Sequence, residues 1–164
     1  MKWRLFFAFL FVANTLFAAD IIPQPNSIIK GNGTFTLNSH ATIICDKELD
    51  NAAAYLCEYL PLQYSPAKRG DIQLLLDEKL KSEEYLLRID NKGIEIRGGA
   101  YGGVFNGVQS LLQLMPAKVY TKNIKLPISL EHITISDAPR YDYRGFLLDV
   151  ARTFMPLHEV KRAI

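Results

Sequence analysis

The residue types best suited to chemistry in this 164-residue chain gather near its C-terminus, in Tyr143-Arg-Gly-Phe-Leu-Leu-Asp-Val-Ala-Arg152. Tyr143–Ala151 reads as a strand, with Arg144, Phe146, Leu148 and Val150 on one face and Gly145, Leu147, Asp149 and Ala151 on the other. A strand apolar on both faces is a buried one, and a charge on either face is costly there unless it is paired. Two readings stand side by side. Arg144 and Asp149 pair with structural partners elsewhere, or Arg144 points into a pocket and its guanidinium fork donates two hydrogen bonds to adjacent hydroxyls of a polar ligand such as a sugar. A helix follows the strand and the sequence stops inside it, so the chain is expected to be the front end of a larger enzyme.

Other motifs carry less. Gly98-Gly-Ala-Tyr-Gly-Gly103 follows a strand and opens a helix, the context of a phosphate loop. The spacing fails G-x-G-x-x-G at Ala100, and no Lys-Ser/Thr follows, so close helix–sheet packing is the expectation. His40, His132 and His158 have no carboxylate or cysteine at ligand or triad spacing and read as solvated or capping. Glu83-Glu84 reads as a solvated face, and Asn32-Gly-Thr34 fits a glycosylation acceptor on three residues only. Cys45 and Cys57 read as small buried hydrophobes; export would let a disulfide persist, and no second pair or His completes a metal site. No metal or cofactor is expected.

Positioning these residues requires an α/β layer. Phe35–Leu37 and Thr42–Cys45 read as short strands, with turns at Gly31-Asn-Gly33 and Asn38-Ser39. Asp46 is placed to cap a helix from Lys47 to about Leu60, whose apolar positions Leu49, Ala53, Leu56, Cys57 and Leu60 follow helical spacing up to Pro61. Ile72–Leu76 is a continuous apolar strand, and Tyr85–Ile89 and Ile94–Arg97 form a hairpin around Asp90-Asn-Lys-Gly93. A second helix carries Val104, Phe105, Val108, Leu111, Leu112 and Met115 and closes at Pro116. Ile128–Ile135 is the last strand of the layer, and Ser136-Asp-Ala-Pro139 a linker. Strands and helices do not alternate regularly, so the sheet is expected to be mixed, with both helices on one face.

Composition bounds the partners. Lys2 and Arg4, the apolar run Leu5–Phe17 and then Ala18-Ala19 have the layout of a cleaved signal peptide, and the run is short for a membrane span. The expected location is extracytoplasmic, periplasmic or secreted, with no membrane association after cleavage. Removing residues 1–19 leaves seventeen basic against seventeen acidic residues. Nothing steers the remainder towards nucleic acid, and a neutral protein suits a neutral ligand. Oligomeric state is not legible.

The order of several motifs resembles glycoside hydrolase family 20, the exported β-N-acetylhexosaminidases. They are Pro23-Gln-Pro25, the strand ending at Gly98-Gly99, Gly102-Gly-Val-Phe-Asn-Gly-Val-Gln-Ser-Leu-Leu-Gln-Leu114, Asp137-Ala-Pro-Arg140 and Tyr143–Arg152. The resemblance implies an accessory α/β domain over 20–137, with two helices on one face of a mixed sheet. Residues 138–164 then supply the first β-strand and helix of an incomplete (β/α)8 barrel, a fold of roughly 250 residues. It implies removal of terminal β-linked N-acetylhexosamine from glycans, the substrate's own acetamido oxygen attacking the anomeric carbon. The Asp-Glu pair of that chemistry lies beyond Ile164, so no catalytic residue is expected within this chain, and the fragment is expected to be inactive. Arg144 matches the arginine that binds hydroxyls of the terminal sugar, and Asp149 and Arg152 match supporting positions near it. Thr153 departs from the His common after that second arginine. Related accessory domains precede other barrels, the O-GlcNAc hydrolases and α-glucuronidases among them. A front domain of that kind, or a non-catalytic carbohydrate-binding or interaction domain, is the alternative.

Overall fold

The computed structural model describes residues 21–64, 70–150 and 152–163; the signal-peptide reading of 1–19 falls outside them. Seven strands form one sheet: β1 (Ser27–Leu37), β2 (Thr42–Cys45), β3 (Gln63–Tyr64), β4 (Ile72–Leu76), β5 (Tyr85–Asp90), β6 (Gly93–Gly98) and β7 (Ile128–Asp137). Their spatial order is β1-β7-β5-β6-β4-β2-β3. The β3-β2-β4-β6 half is parallel, and β6-β5-β7-β1 is antiparallel, so the sheet is mixed as expected.

Alternation along the strands sorts the two faces. Ile72, Leu74, Leu87, Ile89, Ile94, Ile96, Ile133 and Ile135 are buried on one side. Against them pack α1 (Asp50–Tyr59), through Ala52, Ala53 and Leu56, and α2 (Tyr101–Leu114), through Val104, Val108, Leu111 and Leu112. Each large side chain withdrawn from water in this layer contributes ~1.5–3 kcal/mol before entropy is set against it. The other face carries Gln73, Arg88, Glu95, Arg97 and Thr134 and is laced by Arg88–Glu95 and Arg97–Glu95 pairs at 3.0 Å.

The glycine cluster acts as packing. A Cβ on Gly98 would overlap the backbone nitrogen of Val104, one on Gly99 the Lys81 carbonyl, and one on Gly103 the Glu84 carbonyl. The glycines let α2 lie directly on the 81–84 turn, whose Ser82 carbonyl accepts from Gly103 N at 3.1 Å.

Several local expectations are corrected. Gly31-Asn-Gly33 is not a turn between strands but an irregularity inside one long edge strand, where the register slips between Lys30 and Thr34. His132 is neither solvated nor capping. It is buried beneath that slip, with Nδ1–H donating to the Asn32 carbonyl at 2.8 Å, and Gly31 and Gly33 leave room for its ring. Asp46 makes no side-chain cap; its Oδ2 instead accepts from Leu76 N at 2.7 Å, tying the start of a short 3-10 turn (Lys47–Leu49) to β4. Ser136 and Asp137 belong to β7 rather than to a linker, because they pair with Leu86 and Tyr85. Cys45 and Cys57 are free thiols on the core's edge, only partly buried.

The largest correction concerns the strand expected over 143–151. Residues 143–150 form no strand, and Ala151 lies outside the described residues. A strand is held by its ladder, and no described strand runs alongside this segment. Its apolar side chains are open to solvent, Phe146 at 73% and Leu147 at 91%. A short helix, α3 (Leu157–Ala163), follows Pro156.

Candidate functional site

A cavity of about 650 Å³ opens where three segments meet: the lead-in Ile21–Asn26, the outer face of α2 and residues 137–144. Each is placed by a specific contact. Gln113 clamps the lead-in through both backbone groups of one residue, its Oε1 accepting from Ile22 N at 2.8 Å and its Nε2 donating to Ile22 O at 3.0 Å. Asn26 ties the same lead-in to the end of β7. Its N–H donates to Asp137 Oδ1 and its Nδ2 to Ala138 O, both at 3.0 Å.

The wall is polar where it meets the core. Tyr85 OH and Ser110 Oγ share a buried hydrogen bond of 2.6 Å, and burial pushes the Tyr85 phenol up from its usual value while that bond opposes the shift. Gln109, one turn from Gln113 on the same helix face, also lines the cavity, and its Nε2 is buried with no hydrogen-bond partner among the described residues. Asn106 donates to the Glu83 carbonyl at 3.3 Å.

Arg144 closes the rim. Its Nη1 and Nη2 donate to the two carboxylate oxygens of Glu83 at 3.2 and 2.5 Å, and Nη1 also donates to the Tyr141 carbonyl at 2.7 Å. The Glu83 pairing raises the arginine's already high pKa, so its charge is permanent. The other two sequence candidates lie elsewhere. Asp149 Oδ1 accepts from Arg152 N, and Asp149 Oδ2 pairs with Arg152 Nε, each at 3.3 Å; neither residue lines the cavity. The structure therefore brings Arg144 to the cavity and leaves Asp149 and Arg152 outside it.

Glu83 was expected to be solvated and is instead the arginine's partner. No spacing signals this, because sixty-one positions separate the two. Gln109 and Gln113 could have been singled out, since their i, i+4 spacing sets two amides on one helix face. What the site can do is bounded by its groups: a fixed cation, amide donors and hydroxyls bind polar neutral matter. Among the described residues no cluster of three or more metal-ligating side chains exists.

A second feature lies on the helices. Tyr120, Tyr59, Tyr55, Phe105 and Tyr101 form a run of ring contacts, with centroids 6.4, 5.1, 4.9 and 5.9 Å apart in order. Lys122 sits over the Tyr59 ring at 5.4 Å. Tyr64, beyond α1, donates its hydroxyl to Asp50 Oδ1 at 3.0 Å.

Comparison with known proteins matches residues 18–138 to the model of glycosyl hydrolase family 20, domain 2. The chain is 34% identical over 158 residues to a β-hexosaminidase of Porphyromonas gingivalis, covering 88% of this chain and 20% of that protein. It is 36% identical over 150 residues to a β-hexosaminidase of Vibrio furnissii, covering 88% and 24%. It thus spans about a quarter or less of these relatives' length. The fold superposes on the exo-β-N-acetylglucosaminidase of Vibrio harveyi, solved with N-acetylglucosamine, with a TM-score of 0.74 and 28% identity, over 89% of this chain and 23% of that one. With the family model matched through the lead-in, the whole mixed sheet and both packed helices, this chain belongs to glycosyl hydrolase family 20.

Proposed function

We propose that this chain is the N-terminal part of an exported exo-β-N-acetylhexosaminidase. The longer polypeptide removes terminal β-linked N-acetylhexosamine from glycans by substrate-assisted, retaining hydrolysis. In that reading residues 20–137 are the accessory domain, and 138–164 begin the (β/α)8 barrel. The Asp-Glu pair that orients the acetamido group and protonates the leaving oxygen follows Ile164. Residues 1–19 direct export and are removed. No cofactor takes part. The observation that carries the reading is the family match over 18–138, together with β-hexosaminidase relatives that align over 88% of the chain.

Within the chain, Arg144 is the residue assigned to the sugar. A permanent cation with paired N–H groups holds two adjacent hydroxyls without taking part in proton transfer, so its loss weakens substrate and transition-state binding together. Asp149 and Arg152 are assigned supporting roles near that sugar once the barrel strand is paired.

Three measurements test this. Residues 20–164 give no turnover of an aryl N-acetylglucosaminide, while the polypeptide read through beyond Ile164 hydrolyses it. In that longer protein Arg144→Ala lowers kcat/KM by about 10–100-fold. An unchanged kcat/KM removes Arg144 from the sugar site. Amino-terminal sequencing of the exported protein is expected to begin near Asp20; an intact Met1 in the mature protein refutes export by cleavage.

The aromatic run from Tyr120 to Tyr101 favours one other reading, a non-catalytic carbohydrate-binding or interaction domain. Calorimetric titration of residues 20–137 with chito-oligosaccharides separates the two, because saturable binding there supports the second.

A further inference from the structure

The sequence holds two Asn-Gly dipeptides, Asn32-Gly33 and Asn106-Gly107, and the fold treats them differently. In this pair a backbone nitrogen reaches the preceding side-chain amide with least obstruction, because glycine sets no side chain beside its own nitrogen. Asn106 and Gly107 lie inside α2, where Gly107 is buried and its N–H belongs to the helix ladder. Asn106 Nδ2 also donates to the Glu83 carbonyl at 3.3 Å. Asn32 and Gly33 are exposed and lie in the slip of β1, where the register with β7 runs to Lys30 and resumes at Thr34.

The slip is built around His132. Its ring is buried under residues 31–33, and Nδ1 donates to the Asn32 carbonyl at 2.8 Å. Nε2 is buried with no partner among the described residues, so the single N–H of the neutral imidazole is the one aimed at that carbonyl. Gly33 has a φ of +108°, and a Cβ there would come to 3.0 Å from Cε1 of the ring. The glycine that the buried ring requires is therefore the one whose nitrogen follows an exposed asparagine.

We propose that Asn32 is a site of spontaneous covalent modification, its side-chain amide being lost through a succinimide closed by Gly33 N. Hydroxide removes the Gly33 N–H proton, and the negative charge spreads onto the Asn32 carbonyl oxygen, the atom to which His132 Nδ1–H already donates. Gly33 N then bonds to Asn32 Cγ, the Cγ–Nδ2 bond breaks, and Nδ2 leaves as ammonia after taking a proton from water. A second water opens the ring at either carbonyl. One opening yields aspartate. The other yields isoaspartate, in which the chain runs through Cγ and β1 is one main-chain atom longer at the slip. Either product adds a negative charge to the edge strand. This chemistry is independent of any hydrolysis carried out further along the polypeptide.

The test incubates the purified full chain at pH 8 in heavy-oxygen water, with and without urea, and follows both sites by mass spectrometry of tryptic peptides. In the folded chain Asn32 is expected to take up label about tenfold or more faster than Asn106, because the Gly107 N–H is freed only when α2 opens. In urea the two rates converge, since both dipeptides are then unfolded. Equal rates in the folded chain, an Asn32 that stays unlabelled, or a glycan on Asn32 overturns the proposal. His132→Phe keeps a ring in the slip but removes the donor. It is expected to slow uptake at Asn32 about threefold in the folded chain and to leave the rate in urea unchanged. An unchanged rate in the folded variant removes His132 from the chemistry. Should that variant not fold, wild type decides the same point: an Asn32 converted more slowly in the folded chain than in urea removes His132 as well.

Discussion

Glu95 lies between two arginines on the open face of the sheet. Arg97 Nε donates to Oε1 at 3.0 Å and Nη2 to Oε2 at 3.2 Å, and Arg88 Nη2 donates to Oε1 at 3.0 Å. The Arg97 bonds foremost, and then the Arg88 charge, hold the carboxyl below its usual 4.5 against the opposing effect of burial. A carboxyl whose pKa is lowered on folding stabilises the fold above its unfolded value and loses that contribution as pH falls through the folded one. The stability gap between wild type and Glu95→Gln is therefore expected to be about 1 kcal/mol or less at pH 7 and to shrink as the pH falls below the usual carboxylate range, measured by urea denaturation at several pH values. A gap that does not shrink on acidification contradicts the assignment. The two thiols shift the other way. Burial is the main cause of the raised pKa at both Cys45 and Cys57. Iodoacetamide at pH 8 should alkylate both more slowly in the folded protein than in urea, read by mass spectrometry, because the thiolate is the attacking form. Equal rates would remove burial as the cause.

The approach of α2 to the 81–84 turn depends on atoms that glycine lacks. A methyl group on Gly103 meets the Glu84 carbonyl, and one on Gly99 meets the carbonyls of Leu80 and Lys81. Neither neighbour is the end of a flexible side chain, so the helix or the turn must move. Gly103→Ala is expected to cost about 1–3 kcal/mol in a denaturant melt, against the few tenths gained when alanine replaces glycine in an uncrowded helix. Because that turn also carries Glu83, the same substitution tests whether the rim contact depends on how α2 is seated. Asp46 has a comparable role on the neighbouring strand, where Leu76 is in register with Gly98. Its charged acceptor satisfies Leu76 N, so Asp46→Ala should cost about 1.5–3 kcal/mol and Asp46→Asn less. Equal losses from the two would show that the bond to Leu76 is not what matters.

At the scale of the whole molecule, the layer formed by residues 21–137 and the segment after it differ in kind. The layer has a continuous core from Leu37 to Ile135. The segment after Asp137 exposes Tyr141, Tyr143, Phe146, Leu147, Phe154 and Leu157, apolar side chains that no described element covers. Residues 20–164 are accordingly expected to self-associate with rising concentration, while residues 20–137 sediment as one monomeric species of nearly unchanged thermal midpoint. Monomeric behaviour of both at the same concentration would show that the exposed side chains find a place the layer provides.

What could be read in the sequence was whatever is decided within a dozen residues. A continuous apolar run placed β4, the hairpin signal around Asp90-Asn-Lys-Gly93 placed β5 and β6, each to within a residue or two, and helical spacing placed α2. The crowding around Gly98–Gly103 was legible for the same reason: a motif that fails as a phosphate loop still marks a close approach. Tertiary contacts decided the rest. The spatial strand order, the two-residue β3 and the slip in β1 over His132 depend on partners far along the chain. Arg144 was legible as a charge that needs a partner, but its pairing with Glu83 was not, since no local pattern connects residues sixty-one positions apart. The expected strand at 143–151 marks the boundary most clearly, because the sequence carries its apolar run but a strand forms only where a neighbour supplies the other half of its hydrogen bonds.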